Sequence, residues 1–600
     1  MKNSLAVENR RIFKHSIDWA LMRRFFRYLK PYRNYVGVGI GLIPVSAACS
    51  ILVPWLMMNI IDEQLSDGNF NGLMVWAGIF LLVVIVNYFA DALFSFSLQT
   101  AALKAIRDVR HDMFTRILQF PRTYFDKTPM GVTLTRLTSD LEAISESFTQ
   151  GLLGMVRDII ITVALLIFLF TISWRLTLVV LMVGPLVYAV TEFLRKRLRD
   201  SYLKARVILS QGTGYLQEVL SGIKTVQLYN AEKEVQQKYS GYTQGFFREQ
   251  SKSNIYDAAL FSCIEGITTL TMGLIIWYGS RELLATSITL GVLVGFIHTL
   301  DRIFVPIRDF TSQIAAIQRT MAAFEHIEDI FEQPVEDEGE NAPVLNQKMR
   351  DSLRKFESVE FENVRFRYSQ DGPYVLKGVS FKLKKGHQLA LVGSTGSGKS
   401  TILRLLTRTY DHYEGAIRLN GIDLNRIPKS EVGKFFALMQ QEVFLFNETI
   451  SFNISMGQKH VSEQDIANAA NYVYADQFIE TLPDKYDFLI KDNGSNLSAG
   501  QAQLIAFARA IASGSEVIML DEATASVDSV TEQLIQKAIN HVFAEKTVIA
   551  IAHRLSTIQH SDQILVLDEG KIAEQGTHQS LINQEGLYSN LVKSLDQSTT

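Results

Sequence analysis

The sequence predicts two unlike halves: a lipid-embedded bundle of six α-helices, followed by a soluble α/β domain. Three observations predict it. Uncharged apolar runs recur between the N-terminus and about residue 310. Residues 326–354 then form an acidic, proline-punctuated stretch with no core pattern. From Phe356 onward, short β-rich runs alternate with helical ones, the signature of an α/β domain. The chain has 600 residues, too many for one ordinary domain of about 150. The expected divisions are 1–325 for the membrane part, 326–354 for the linker and 355–600 for the soluble part.

The first two apolar runs, Val36–Ile61 and Phe70–Ala90, are long enough to cross the bilayer, which takes about 20 helical residues. Ile159–Trp174 and Leu176–Thr191 form a close pair broken at Ser173-Trp174-Arg175. Gly266–Ser280 and Ile288–Leu300 form another, split by Arg281 and Glu282. These later runs need flanking residues to reach length, and those flanks include Arg157, Asp158 and Glu265. A wholly soluble helical core is the alternative, but soluble helices seldom run past about 18 residues without a charge. No signal peptide accounts for the first run, because its upstream region is long and mixed in character.

Basic residues near the span ends give the orientation. Arg23, Arg24, Arg27, Lys30 and Arg33 precede the first span, and the loop 62–68 after it has no basic residue. Segments 97–150 and 192–257 are rich in Lys and Arg. Both chain ends and both long loops are therefore expected on the cytoplasmic side, with the turns at 173–175 and 279–287 outside. The long loops keep helical periodicity, with Pro129-Met130-Gly131 as the clear turn, so the spans should continue as helices below the membrane. Asp91, Arg157, Asp158, Glu265, His298, Asp301 and Arg302 are ionisable groups in or beside spans. Such groups mark a transport pathway, a buried pair or an interfacial anchor, and the sequence leaves these open; Glu265, His298 and Asp301 are the candidates for a pathway. A net charge of −3 gives no basic excess for a nucleic-acid binder. Cys49 and Cys263, the two cysteines, make neither a disulfide framework nor a zinc site.

The soluble half carries a phosphate cradle. The apolar strand 388–392 feeds Gly393-Ser394-Thr395-Gly396-Ser397-Gly398-Lys399-Ser400, and a helical run opens at Thr401. In G-x-x-x-x-G-K-S the glycines let backbone N–H groups turn toward phosphates, and the helix N-terminus adds partial positive charge. Lys399 reaches the phosphates, and the Ser400 hydroxyl is placed to ligate Mg²⁺. The strand 517–520 ends in Asp521-Glu522, at the strand end where open α/β sheets bind ligands. Asp521 is placed for the Mg²⁺ shell, and Glu522 to polarise an attacking water. Ser498 and Gln501 have the S-x-x-Q spacing of a capping box opening a helix at 502–512.

Leu497-Ser498-Ala499-Gly500-Gln501 resembles the LSGGQ signature of ATP-binding cassette proteins, with Ala at the third position. The resemblance extends further. Tyr368 is similar to the aromatic that stacks on adenine, Gln441 to the loop residue that links Mg²⁺ to the membrane domain, and Asp528 to the D-loop acid. His553, after the strand 548–552, resembles the switch histidine that contacts the γ-phosphate. Residues 125–131, then Thr138-Ser139-Asp140, resemble the first inner loop of bacterial multidrug-type half-transporters, and 302–307 resembles the end of their sixth helix. Membership would imply an ATP-hydrolysing exporter of hydrophobic or amphipathic compounds, drugs or lipids, in the cytoplasmic membrane. It would work by alternating access with a second half-transporter, each ATP lying between the cradle of one subunit and the signature of the other. Long inner helices would dock on both nucleotide domains through tips near 124–128 and 222–224. The resemblance also admits a dedicated lipid flippase, a peptide exporter or a gated channel; a soluble nucleic-acid ATPase conflicts with the apolar spans. Two departures stand out: Ala499 replaces a glycine, and Lys491-Asp492-Asn493-Gly494 stands where the family has a Gly-Glu pair.

Overall fold

The computed structural model describes residues 26–66, 68, 70–285, 287–336, 344–440, 442–521, 529–552 and 558–598. The chain divides into two compact units. One takes residues up to 118 together with 130–333; the other takes 119–129 together with 334 onward.

The first unit is helical. Its main helices are α1 (Arg33–Asn59) and α2 (Phe70–Ile117). After α3 (Arg122–Lys127), which belongs to the other unit, follow α4 (Leu153–Ile172), α5 (Trp174–Ser221), α6 (Ile223–Leu228), α7 (Glu232–Leu284) and α8 (Leu290–Glu332). Five helical stretches are long and apolar enough to cross a membrane among the described residues: Phe26–Leu65, α2, α4, α5 and α7. The sixth apolar run opens α8, where Asp301 and Arg302 cut it short. α2 and α5 have 48 residues each and α7 has 53. At 1.5 Å per residue each is about 70–80 Å long, more than twice the hydrocarbon thickness of about 30 Å. The extension of spans as helices beyond the bilayer is therefore built into single continuous elements.

Where the sequence placed turns, side-chain caps end the helices. Ser173 accepts a hydrogen bond from Leu176 N to open α5, and Thr289 accepts one from Val292 N to open α8. Arg175 and Glu282, two of the residues that interrupted apolar runs, pair with each other at 3.0 Å. The turn expected at 279–287 starts later, because α7 runs to Leu284. The linker also starts later than 326. Ile327 and Ile330 are buried and hold α8 in register to Glu332, so Glu328, Asp329 and Glu332 lie on its last turns.

Leu165, Leu169, Leu176, Val180, Ile275, Phe296 and Leu300 form the core of this unit. Outward, α2 exposes Leu81, Leu82, Tyr88 and Phe89, as a lipid-facing helix does. α1 and α8 approach so closely that a Cβ on Gly291 would lie 2.4 Å from Met58 O, and one on Gly295 2.7 Å from Met58 Cγ. The Asp62 carboxylate closes this seam by accepting hydrogen bonds from Gly291 N, at 2.7 Å, and from Thr289 Oγ1.

The second unit holds two sheets. After α9 (Gln347–Ser352), β1 (Ser358–Phe366), β2 (Leu376–Lys384), β4 (Glu414–Leu419) and β5 (Ile422–Asp423) make an antiparallel sheet in the order β2-β1-β4-β5. The other sheet has the order β10-β9-β3-β8-β7-β6. Its strands are β3 (Gln388–Gly393), β6 (Phe436–Met439), β7 (Val517–Asp521), β8 (Thr547–Ile551), β9 (Gln563–Asp568) and β10 (Lys571–Gly576). All its neighbouring strands run parallel except the edge pair β9–β10. β3, β7, β8 and β9 are apolar almost throughout and buried, as strands covered on both faces must be. The helices that bear on the site are α10 (Lys399–Leu406), α11 (Ile450–Ser455), α12 (Ala499–Ala512) and α13 (Ser529–Glu545).

Candidate functional site

Strand register builds the site. Leu391 of β3 and Asp521 of β7 both pair with Ile551 of β8. The three strands therefore end level, and the segments leaving them emerge along one edge of the sheet. From β3 leaves Gly393–Lys399, from β7 leaves Asp521, and from β8 the chain runs on toward residue 553. Glu522, Asp528, His553 and Gln441 lie outside the described residues.

The loop after β3 is a preformed cradle. Gly393, Gly396 and Gly398 have φ of 148°, 84° and 105°. Any side chain at Gly393 would strike Leu567 O at 2.1 Å, and one at Gly398 would strike Leu376 Cδ2 at 2.7 Å. Only glycine fits a backbone wrapped this tightly. Lys399 Nζ donates to Gly393 O and Ser394 O at 2.8 Å each, so the ammonium lies folded over the loop. Ser397 Oγ is buried and has no hydrogen-bond partner among the described residues. A buried hydroxyl in that state gains from an anionic acceptor, as a phosphate oxygen would be. Ser400 Oγ donates to Asp521 Oδ1 at 3.3 Å. A hydroxyl beside a carboxylate is a pair of hard oxygen donors that fits Mg²⁺. Thr395 and Gly396 are exposed at the loop tip.

At the back of the cradle, Tyr368 and Thr401 share a hydrogen bond of 2.9 Å between hydroxyls, and Arg404 Nη1 donates to the same phenol at 3.2 Å. Burial would lower the Arg404 pKa, but the facing Tyr368 raises it further, so the guanidinium stays charged. Tyr368 keeps 38% of its surface exposed, and its ring is open to stacking by a flat ligand.

Ser498 and Gln501 form the reciprocal capping box that their spacing predicted. Gln501 N donates to Ser498 Oγ at 3.2 Å, and Ser498 N donates to Gln501 Oε1 at 2.9 Å. The helix they open begins at Ala499, three residues before the expected 502, because the capped first turn is itself helical. Gly500 is buried in that turn while Ser498 and Ala499 are exposed. Asp492, Asn493 and Gly494, at the departure from the family pattern, have φ of 43°, 57° and 101° in succession. Asn493 N donates to Asn447 Oδ1 at 2.9 Å and holds this turn.

α12 is fastened by Arg509. It donates to Asn453 O at 2.7 Å, Asn453 Oδ1 at 3.2 Å and Phe444 O at 3.1 Å. Burial draws its pKa below the usual arginine range. Asn453, itself fully buried, accepts from Phe446 N at 2.8 Å. The helix behind Ser498 is thus tied to the segment 444–453 that follows Gln441.

Within the first unit, Arg157 donates to Asp91 at 2.7 Å, and Ser46 donates to the same carboxylate at 2.9 Å. This joins α1, α2 and α4, so two of the ionisable groups beside spans are a structural pair. Asp158 accepts from Gln313 at 3.1 Å beside a cavity of about 250 Å³ lined also by Thr162 and Pro306. Glu265 lies on an open face of α7 beside Phe261, Thr269 and Gly273. His298 lies on α8, on a different helix from Glu265; the side chain of Asp301 is outside the description.

Sequence reasoning missed Arg404, Tyr410 and Arg509, and placed Asp126 in the inner-loop motif without its Tyr410 partner. Each makes its contacts across long sequence separations, and no local spacing signals them.

Residues 36–305 match the family described as ABC transporter transmembrane region, and residues 376–525 match the family described as ABC transporter. An uncharacterized ABC transporter ATP-binding protein of Bacillus subtilis, YknV, is 32% identical over 97% of this chain and 96% of its own length. An ATP-dependent lipid A-core flippase of Chromohalobacter salexigens is 32% identical over 96% of this chain and 98% of its own. A solved bacterial Atm1-family ABC exporter with ATP bound superposes with a TM-score of 0.76 at 26% identity, covering 94% of this chain and 98% of that one. A glycine cradle at the end of β3, a capped signature helix, and a helical membrane unit in the same polypeptide agree with these matches: the chain belongs to the ABC transporter family, as an exporter-type half-transporter that fuses a membrane region to an ATP-binding ATPase domain.

Proposed function

We propose that the chain exports hydrophobic or amphipathic compounds across the cytoplasmic membrane by alternating access, as a dimer with a second half-transporter. The observation that carries this reading is the exposed Ser498–Gln501 cap. A helix N-terminus held open by its own capping box presents a polar, partly positive face. Exposed on the nucleotide domain, that face suits a γ-phosphate held by a partner's cradle. Gly393 to Thr401 would hold the phosphates, Tyr368 the adenine, and Ser400, Asp521 and Gln441 a Mg²⁺ ion. Bound there, Mg²⁺ would neutralise charge between the β- and γ-phosphates. Glu522 would polarise the attacking water, with His553 on the γ-phosphate and Asp528 at the dimer seam. Six spans, with α8 as the last, would place both chain ends in the cytoplasm.

Lipid is the second reading of the cargo. It is favoured by the named activity of the Chromohalobacter relative, which aligns over nearly its whole length. Glu265, His298 and Asp301 remain the proposed pathway residues. The test is the full-length protein, expressed alone, purified and reconstituted in vesicles. Wild-type protein should hydrolyse ATP and respond to amphipathic dyes or to fluorescent lipid. Glu522→Gln should bind ATP and not turn it over. Full-rate hydrolysis by isolated monomers would reject the shared-site dimer.

A further inference from the structure

The aromatic cluster behind the phosphate cradle leads away from the nucleotide to a segment distant in the chain. Tyr410 follows α10 and is 96% buried, with 4% exposed. Its ring stands edge-on to Tyr368, centroids 5.2 Å apart at 81°, and tilted against Phe366 at 5.5 Å. Its hydroxyl donates to Asp126 Oδ2 at 2.6 Å across 284 residues of sequence. Asp126 lies on α3, in the segment 119–129 that groups with the nucleotide domain although α2 and α4 flank it in the chain. The other carboxylate oxygen of Asp126 accepts from Arg122 Nε at 3.1 Å, which fixes the acceptor on the helix. A second tie holds the same segment: Glu336 N donates to Gln119 O at 3.0 Å, and the Glu336 carboxylate accepts from Lys429 at 2.7 Å.

We propose that Tyr410 is a positioning residue that couples the base stacked on Tyr368 to Asp126, so that α3 senses whether an adenine, and not merely a polyphosphate, fills the site. The inference rests on the reading of Tyr368 as the adenine-stacking aromatic. The geometry supplies a chain of directional contacts. Thr401 and Arg404 restrain the Tyr368 hydroxyl, so a base on one ring face is opposed from behind. Tyr410 meets that ring edge-on, an arrangement that resists rotation of either ring. Any shift of Tyr368 therefore reaches a ring with almost no free surface. Its remaining freedom is the hydroxyl bonded to Asp126, a charge-assisted bond of the stronger kind. Burial, and then the Asp126 carboxylate, push the Tyr410 phenol up to about 12, which keeps it a donor at any physiological pH. α3 is covalently continuous with the chain that leaves α2 at Ile117.

The experiment is amide hydrogen exchange on the full-length Glu522→Gln protein in detergent or nanodiscs. Three states are compared: no ligand, Mg²⁺-tripolyphosphate and MgATP. Tripolyphosphate occupies the cradle without a base. In the parent protein, MgATP should slow exchange in residues 119–129 beyond the slowing that tripolyphosphate produces. Tyr410→Phe keeps the ring and removes the donor; Asp126→Ala removes the acceptor. Both should lose the base-dependent part while still binding ATP. Asp126→Asn keeps an acceptor oxygen without the charge and should retain part of it, whereas a merely structural role for Asp126 would change exchange equally with tripolyphosphate and with MgATP. Persistence of the base-dependent slowing in both Tyr410→Phe and Asp126→Ala would overturn the proposal. A separate arm checks its footing. Tyr368→Ala should weaken MgATP binding and leave tripolyphosphate binding unchanged; if ATP affinity is unaltered, the reading of Tyr368 fails, and the relay with it.

Discussion

At the scale of single residues, geometry makes some positions intolerant and others separable. Gly393 combines a φ of 148° with a carbonyl 2.1 Å from any added Cβ. Backbone strain of this kind costs about 1–3 kcal/mol, and the clash adds to it. Gly393→Ala should therefore lower the thermal midpoint of the nucleotide domain as well as ATP binding, whereas Lys399→Ala should lose ATP binding with little change in stability. Ser498 has two roles that can be parted. Ser498→Ala removes an N-cap and should cost about 1 kcal/mol, together with ATPase activity. Ser498→Asp keeps the cap but sets a carboxylate where a phosphate is proposed to dock. Thermal unfolding should find the aspartate variant as stable as wild type, and an ATPase assay should find it inactive. The capping box was legible in the sequence because its two members are three residues apart and answer only to each other. Tyr410–Asp126 and Arg157–Asp91 were not, because pairs separated by 284 and 66 residues depend on how whole elements meet. Side chains alone could say that Arg157 and Asp91 were ionisable beside lipid; they could not say that each was the other's partner.

Between elements, the tightest couplings are polar and buried. Arg509 fastens α12 to α11 and to the segment before it through three hydrogen bonds. Arg509→Met would fill the space but take the arginine donor from the carbonyls of Asn453 and Phe444, at about 1–3 kcal/mol for each group left unsatisfied. Chemical unfolding should register that loss, and ATP turnover should fall with it. In the membrane unit, Asp91→Asn or Arg157→Met leaves a lone ion half-buried beside lipid. Replacing both partners by apolar residues removes that penalty, so the double variant should be closer to wild type than either single one. A double-mutant cycle on the melting temperature in detergent checks this. Helix existence was readable from apolar runs, yet helix ends moved. α7 and α8 overrun their predicted limits because packing of residues such as Ile327 and Ile330 sustains a helix through charges that a hydropathy reading takes as its end.

For the whole molecule, Glu516 is one contributor to stability in acid. Burial would raise the Glu516 pKa, but the Lys385 ammonium, at 2.6 Å, and Phe356 N–H, at 2.8 Å, outweigh it and hold the carboxyl below its usual range. A carboxylate depressed on folding contributes its full stabilisation above its unfolded pKa, and that contribution disappears as pH falls through the folded value. Unfolding of the nucleotide domain should therefore become easier below about pH 4.5, and Glu516→Gln should flatten that part of the profile. The division into an apolar helical half and an α/β half was plain from composition along the chain. That residues near 124–128 go with the nucleotide domain was expected from the family resemblance of 125–131; the bounds 119–129 were not legible, because α3 is too short to carry a periodic signal. The seam between α1 and α8 has a bearing on motion. Where backbones touch with no space for even a methyl group, and a carboxylate bolts the end of one helix to the start of the next, the two elements cannot slide past each other. They travel as one strut, and any bend that opens or shuts the bundle must be taken up farther along, where Pro306 already deprives α8 of a rung of its ladder.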